Sequence, residues 1–336
     1  MPTPKKSPRT ARLYRGSPAN LARLARLLRN GELVGVPTET VYGLAANALD
    51  ARACRKIFAA KGRPAHDPLI VHIASLRDLP LVAVPNSAAL KLAKKFWPGP
   101  LTLVLPKTPA IPTVVSAGLP SVAVRMPAHP LFRRLLKLAG VPLAAPSANP
   151  FGYVSPTTAA HVQESLGRKI SHILDGGASR IGLESTIIDL RNPRKPRLLR
   201  PGAITLAQLE RALGTKVARP PVAARAPAKK AQVAPGLLAR HYSPRTPVVL
   251  HEAMRASAKP AVNEAWLFVA KPGRREHGKN VFWLDDRGDL RGAARRLFAM
   301  LRQLDGASFN RINAELARGD GLADAINDRL RRAAAK

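Results

Sequence analysis

Apolar positions along the first two thirds of the chain alternate between two spacings. Leu21, Leu24, Leu27 and Leu28 recur at three- and four-residue steps after Pro18, which predicts a helix ending near Asn30-Gly31. Leu33 to Val36 is a continuous apolar run of strand length. Asp50 then caps a predicted helix reaching about Lys61, Leu69 to Ile73 reads as a strand, and Ser87 to Phe96 as a helix broken by Trp97-Pro98-Gly99-Pro100. Further strands are expected at Leu101 to Leu105, Val122 to Val124, Pro142 to Ala144, Ile170 to Leu174, Ser185 to Leu190 and Arg197 to Leu199. A helix from Leu206 to Leu213 starts after Thr205 and meets Gly214. This is α/β patterning with a largely buried sheet.

The rhythm stops between Thr215 and Arg245, where Pro, Ala and Lys dominate; such a composition is expected to run as a semi-extended connection without burying a core. Beyond it, three short strands are predicted at Val248 to Leu250, Trp266 to Val269 and Val281 to Leu284. A helix follows with Leu290, Ala294, Leu297, Leu301 and Leu304 on one stripe, and Leu322 to Ala335 repeats the helical period. The expected organisation is a disordered basic stretch over 1–16, a main domain over 17–214, a linker over 215–245 and a smaller α/β domain over 246–336.

At 336 residues and 46% hydrophobic content, two cores are a natural division. No apolar run approaches the roughly 20 residues of a membrane span, so no membrane contact and a cytoplasmic location are expected. The single cysteine, Cys54, excludes an intrachain disulfide and, spaced helically with Ile57 and Phe58, reads as packing. Charge changes the picture more. Fifty-five Lys+Arg against 21 Asp+Glu leave +34, which draws a protein toward polyanions such as RNA or nucleotides, unless an Arg- and Ala-rich composition is merely solvated.

Chemistry concentrates where strands end. Pro37-Thr38-Glu39-Thr40-Val41-Tyr42-Gly43-Leu44 follows an apolar run and precedes a helix-like segment; it is either a self-bonded turn or a set of side chains delivered into a cleft. Lys61-Gly62-Arg63-Pro64 closes a helix, so both cations are expected to project from its end, pairing with the helix dipole or with a ligand. His72 returns toward the same edge one strand later, as a core histidine or a site residue. Arg125 ends a buried strand, where its planar fork suits a carboxylate or phosphate, or an internal ion pair. Ala144-Ala145-Pro146-Ser147-Ala148-Asn149 offers small residues, a hydroxyl and an amide, and Glu184-Ser185-Thr186 sits at a strand start. Ser155 before Pro156 reads as a helix N-cap that aims free N–H groups at any nearby anion. The usual phosphate-loop fingerprints are missing and no cluster has metal-ligand spacing, so a divalent ion would arrive with phosphates.

Together these motifs resemble the family of L-threonylcarbamoyladenylate synthases in its long two-domain form. The resemblance extends over roughly residues 14 to 214, through Ala234-Pro235-Gly236-Leu237-Leu238-Ala239-Arg240-His241-Tyr242-Ser243-Pro244, to Ala323 through Leu330. It implies a YrdC-like catalytic domain with a twisted, mostly buried central sheet flanked by helices, plus a smaller Rossmann-like α/β domain. The implied activity joins L-threonine, bicarbonate and ATP, with Mg²⁺ carried by the ATP phosphates and no organic cofactor, and releases pyrophosphate. The product feeds a downstream threonylcarbamoyl transferase that modifies tRNA beside the anticodon; tRNA or double-stranded RNA is an implied partner. The contrasting reading is an RNA-binding module on the same fold. By resemblance Thr40, His72, Arg125, Ala145 and Ser185 line a threonine pocket. Lys61 and Arg63 carry the catalysis and surround ATP with Asp67, Ser121, Ser147, Asn149, Ser155 and Arg200, while Arg240, His241 and Tyr242 form a lid. Asp67 departs from the Asn or His that members often carry there, so an amide-donor contact is not carried over.

Overall fold

The computed structural model describes residues 10–219, 231–238, 241–254, 261–273 and 278–335. The main domain is built from β1 (Arg12–Tyr14), α1 (Pro18–Arg29), β2 (Val34–Val36), β3 (Gly43–Asn47), α2 (Ala51–Lys61), β4 (Ile70–His72), α3 (Leu79–Val82) and α4 (Ser87–Phe96). It continues through β5 (Leu101–Pro106), β6 (Ser121–Arg125), α5 (Pro130–Ala139), β7 (Leu143–Ala144), α6 (Ala159–Leu166), β8 (His172–Leu174), β9 (Thr186–Asp189), β10 (Arg197–Arg200) and α7 (Leu206–Leu213). The helix signals act as read: Asp50 accepts from the Arg52 and Ala53 amides, Gly62 turns left-handed at φ 63°, and Thr205 forms a capping box ahead of Gly214.

Among the described residues the strands join in one ten-stranded sheet, ordered β1-β8-β2-β3-β7-β4-β6-β5-β9-β10. It is mixed: β4 pairs parallel with β6 but antiparallel with β7, and β5 pairs antiparallel with β6 but parallel with β9. Two expectations are corrected and one strand is added. Residues 12–14, placed in the disordered stretch, pair with β8, because Ala11 and Tyr14 have an apolar site to fill. Gly43 to Asn47, assigned to no element in the sequence reading, forms strand β3 by folding back on β2, and the expected helix follows from Ala51. Thr158, not Ser155, caps α6.

Side-chain alternation divides the sheet into two faces. One face is helical throughout: Leu44, Val71, Leu103, Val124 and Ile188 share a core with Ile57 of α2, Leu92 of α4, Val162 of α6 and Leu209 of α7. On the other face, α1 and α5 cover only part of the sheet, through Val34, Val36, Leu143 and Leu174. Over β4, β6, β5 and β9 none of the described helices lies. There Ile70, Ala123, Val104 and Ile187 pack against Ala234, Val233 and Leu237 of the linker. The linker therefore buries apolar surface, contrary to its composition, because Val233, Ala234 and Leu237 are placed on this face.

The second domain comprises β11 (Val248–His251), β12 (Glu264–Ala270), β13 (Val281–Asp285), α8 (Leu290–Asp305), β14 (Arg311–Glu315) and α9 (Leu322–Ala334). Its parallel sheet, β11-β14-β12-β13, fits the Rossmann-like expectation. Its core continues into Val41, Val154, Leu183 and Tyr242, so the domains share a buried seam. Strand β14 has no counterpart in the sequence reading because Arg311, Asn313 and Glu315 interrupt its apolar run.

Candidate functional site

Strand β4 sets the axis of the site. At its carboxyl end His72 stands beside Arg125 of β6 and Leu143 of β7. Arg125 is 4% exposed and held by protein on all three nitrogens: Nη1 donates to Thr40 Oγ1 at 2.9 Å, Nη2 to Glu39 Oε1 at 2.6 Å and Nε to Gly99 O at 3.2 Å. Three of its five N–H groups are used, and one remains on each terminal nitrogen. Thr38 holds the turn by accepting the Thr40 and Val41 amides and donating to Val41 O. The self-bonded turn and the delivery of a side chain into a cleft are thus both present in one block. Burial, with the Arg125 charge second, pushes the His72 pKa down to about 3, so its imidazole is neutral; Nδ1 has no hydrogen-bond partner among the described residues.

The opposite end of β4 is cationic. Lys61 and Arg63 do not project from the helix end as expected; they are 3% and 7% exposed, because the loop after β7 folds onto it through Phe151 N and Lys61 O. Lys61 Nζ donates to Ser147 O and Asn149 O, both at 2.5 Å. Burial, then the Arg63 charge, pushes its pKa well down. Arg63 donates to Asp67 O and Pro68 O, and its Nη2 lies 2.9 Å from Asp67 Oδ2. Asp67 is fully buried, and burial raises its pKa against the pull of Arg63.

Backbone lacing brings the remaining motifs together. Leu44 N bonds Pro146 O and Ala148 N bonds Tyr42 O, a close approach that Gly43 permits: a Cβ there would lie 3.2 Å from Ala145 Cβ. On the far wall Ser185 Oγ meets Thr102 Oγ1 at 2.7 Å and accepts from Arg200 Nη2 at 3.2 Å. Ser155 donates its hydroxyl to Glu184 Oε1 at 2.5 Å, leaving only lone pairs for any ligand.

The segment expected as a lid packs along this space. Arg200 Nη1 donates to Pro235 O, and Tyr242, fully buried at φ 61°, packs its ring against His241 and Phe298. The hollow between these residues is about 40 Å³, room for roughly three waters. Thr40, His72, Arg125, Ala145 and Ser185 line it, as do Arg63, Ser147, Arg200, His241 and Tyr242. Lys61, Asp67 and Ser155 do not line it but bond Ser147, Arg63 and Glu184 of its wall, and Asn149 accepts Lys61 Nζ two residues after Ser147. Ser121 begins β6, roughly 13 Å along the strand from Arg125, with its buried Oγ unpartnered. Arg240 lies outside the described residues. Glu39 and Glu184, quoted in the sequence but given no task there, and Arg329 of α9 were missed. Their signal is pairing in space, which spacing along the chain does not carry.

Comparison with known proteins places the chain among relatives. A family model described as "Telomere recombination" matches residues 26–202, and one described as "Threonylcarbamoyl-AMP synthase, C-terminal domain" matches residues 204–335. The chain is 44% identical over 319 residues to a threonylcarbamoyl-AMP synthase of Pyrococcus abyssi, covering 92% of each chain. It is 40% identical over 328 residues to that of Bacillus subtilis, covering 94% of this chain and 92% of the relative. A crystal structure of P. abyssi Sua5 complexed with L-threonine superposes with a TM-score of 0.87 at 41% identity, covering 96% of both chains.

Proposed function

The chain belongs to the threonylcarbamoyl-AMP synthase family, and from that premise we propose that its hollow joins L-threonine, bicarbonate and ATP into L-threonylcarbamoyladenylate with release of pyrophosphate. In class it is a nucleotidyltransferase. The threonine amine takes up CO₂ as a carbamate, the carbamate oxygen attacks the α-phosphorus, and pyrophosphate leaves in line. No protein group becomes covalently modified, so the work is positioning and charge neutralisation.

One observation carries the reading: a buried arginine fork and a buried Lys61-Arg63 pair occupy opposite ends of one short strand, a span that suits an amino acid set against a triphosphate. The two free N–H groups of Arg125 take the threonine carboxylate, and neutral His72 and Thr40 face its polar atoms. Ala145 and Ser185 complete that pocket. Lys61 and Arg63 neutralise charge on the phosphates, with Ser121, Ser147, Asn149, Ser155 and Arg200 around the nucleotide. An arriving anion would also reverse the suppressed charge of Lys61 by supplying the solvation that burial removes. Asp67 fixes Arg63 through an ion pair. Mg²⁺ comes with ATP as part of the substrate: the carboxylates nearest the hollow, Glu39, Asp67 and Glu184, are each ion-paired with an arginine, which does not fit a resident metal site. Among the described residues no group of three or more His, Cys, Asp or Glu could hold one.

The product is an activated carbamoyl phosphate anhydride, so a downstream threonylcarbamoyl transferase would consume it in modifying tRNA next to the anticodon. A cytoplasmic setting accords with this role; no described helix is long and apolar enough to cross a membrane. Any contact with tRNA or double-stranded RNA would use other cations, since Lys61 and Arg63 are buried. The test is pyrophosphate release with each substrate omitted in turn, with the nucleotide product weighed by mass spectrometry. Release that continues unchanged without threonine refutes the reading.

A further inference from the structure

The last turn of α5 and the segment that leaves β4 bound a second cleft, of about 340 Å³. That volume falls within the roughly 300–1,000 Å³ of ordinary small-molecule sites, and none of the motifs that build the first hollow reaches it. Leu81 of α3, Leu136 of α5 and Val141 give the cleft apolar walls, and Leu81 keeps 47% of its surface exposed. Two charges line it as well, Asp78 and Lys137. Asp78 is fixed by its own loop: Oδ2 accepts the Ala74 amide at 3.2 Å and the Ser75 amide at 2.9 Å, which leaves Oδ1 for a ligand. Lys137 stands exposed in the last turn of α5, three residues before Gly140 ends the helix at φ 65°. A Cβ on Gly140 would meet nothing within 4 Å, so the space beside the helix end is open.

These charges select the occupant. The Asp78 carboxylate and the partial negative charge at the carbonyl end of α5 repel phosphate, so the cleft is not a second nucleotide site; they attract an ammonium, and Lys137 supplies the opposite charge. An apolar body that carries both an ammonium and a carboxylate is a free α-amino acid with an aliphatic side chain. We propose that the cleft binds such an amino acid and thereby regulates the threonine pocket. Asp78 Oδ1 takes the ammonium, Lys137 the carboxylate, and Leu81, Leu136 and Val141 the side chain. The two sites share their walls. Ala74, which lines the cleft, follows His72 by two positions and packs with Val141 against the core that holds Phe132 and Leu136. The rings of His72 and Phe132 lie 5.4 Å apart, and Phe132 and Leu136, four residues apart, occupy one side of α5. Pro142 of the cleft adjoins Leu143, which pairs with His72. Close-packed side chains pass on displacement rather than absorb it, so a ligand seated against Ala74 and Leu136 acts on the imidazole through a single intervening ring.

Isothermal titration calorimetry on the full-length protein tests this, with valine, leucine, isoleucine and methionine titrated with and without saturating threonine into wild type, K137M, D78N and R125K. At least one of these amino acids should bind wild type at one molecule per chain while threonine is saturating. K137M and D78N should weaken that binding about tenfold or more, and R125K by less than about twofold. D78N keeps an oxygen for the Ala74 and Ser75 amides, and K137M alters only an exposed side chain, so a misfolded D78N does not decide the matter. The bound amino acid should shift the threonine Kd by about fivefold or more, and threonine should shift the amino acid Kd by the same factor. No binding by any of the four, binding lost in R125K, binding unchanged in K137M, or a threonine Kd that does not move overturns the proposal. Its regulatory step rests on the threonine pocket assigned above: a wild type that does not bind threonine overturns that pocket and the regulation, while the K137M and D78N titrations still decide the cleft.

Discussion

Replacing Arg125 with lysine tests the threonine pocket most directly, because it keeps the charge and removes the fork. The charge must stay: Glu39 is 2% exposed with one oxygen unpartnered, and an uncompensated carboxylate there would cost roughly 3–5 kcal/mol of stability. Lysine retains that pairing but has one ammonium where arginine reaches Gly99, Thr40 and Glu39 separately. Two internal bonds are lost, about 1–3 kcal/mol in total stability. Toward substrate the loss is larger in kind, since no pair of parallel donors remains for a carboxylate. One charge-assisted hydrogen bond is worth about 1.5–3 kcal/mol, and 2–3 kcal/mol corresponds to a rise of roughly 30- to 150-fold in the KM for threonine. The assay is initial pyrophosphate release with threonine varied at saturating ATP, then ATP varied at saturating threonine, with urea unfolding run alongside. A threonine KM within threefold of wild type, or an ATP KM raised as much as that for threonine, refutes the assignment of Arg125 to the carboxylate.

Acid should unfold the protein partly through His72. Its folded pKa of about 3 lies below the unfolded value near 6.5, so its contribution is complete above pH 6.5 and is lost as pH falls toward 3, by about 1.4 kcal/mol per unit. H72Q should flatten the stability-pH curve between pH 6 and 4 by about that slope; parallel urea-unfolding curves for the two proteins would count against a buried neutral imidazole. Gly236 sits at φ 76°, and a Cβ there would lie 2.8 Å from Tyr242 Oη and 2.9 Å from Arg200 Nη1. G236A should therefore raise the ATP KM several-fold through a displaced lid, while costing about 1–3 kcal/mol in denaturant stability; unchanged kinetics would show that the lid tolerates the shift. K61A and R63A should each lower kcat by about two to three orders of magnitude with RNA affinity, measured by filter binding, left intact, and loss of RNA binding in step with activity would favour the RNA-binding reading.

Much of this architecture was legible along the chain because it depends on local rules. Asp50, Gly62, Thr205 and Gly214 place helix ends through caps that involve only near neighbours. Thr40, His72, Arg125 and Ser147, which lie in separate motifs, converge on one hollow because each ends or follows a strand of the same sheet. Properties set by distant partners were not legible. Lys61 and Arg63 look like exposed helix-end cations until the loop after β7 covers them, and Ser155 looks like a cap until Glu184 takes its hydroxyl. The linker looked unable to bury anything, because composition averages over its length whereas packing uses only Val233, Ala234 and Leu237. Arg329, more than a hundred residues from Glu184, carries no local mark of the ion pair it forms there.

The irregular lid has a physical rationale in the sheet it covers. An α/β sheet needs both faces buried, and over β4, β6, β5 and β9 none of the described helices lies, leaving Ile70, Val104, Ala123 and Ile187 to be shielded by the linker. Full burial of a valine, leucine or isoleucine is worth about 1.5–3 kcal/mol, so lifting the lid from this patch costs on the order of 5–10 kcal/mol unless a ligand replaces the cover. The hollow beneath that cover is about 40 Å³, far below the roughly 300–1,000 Å³ of ordinary small-molecule sites, so a nucleotide bound there would displace part of the cover. A helix in this place would have to shift as a rod or unfold. An irregular segment held by non-directional apolar contact and a few side-chain bonds, such as Arg200 to Pro235 and Arg332 to Leu238, can instead exchange its contacts for those of a nucleotide and reseat over it, which is the motion that a water-sensitive product demands.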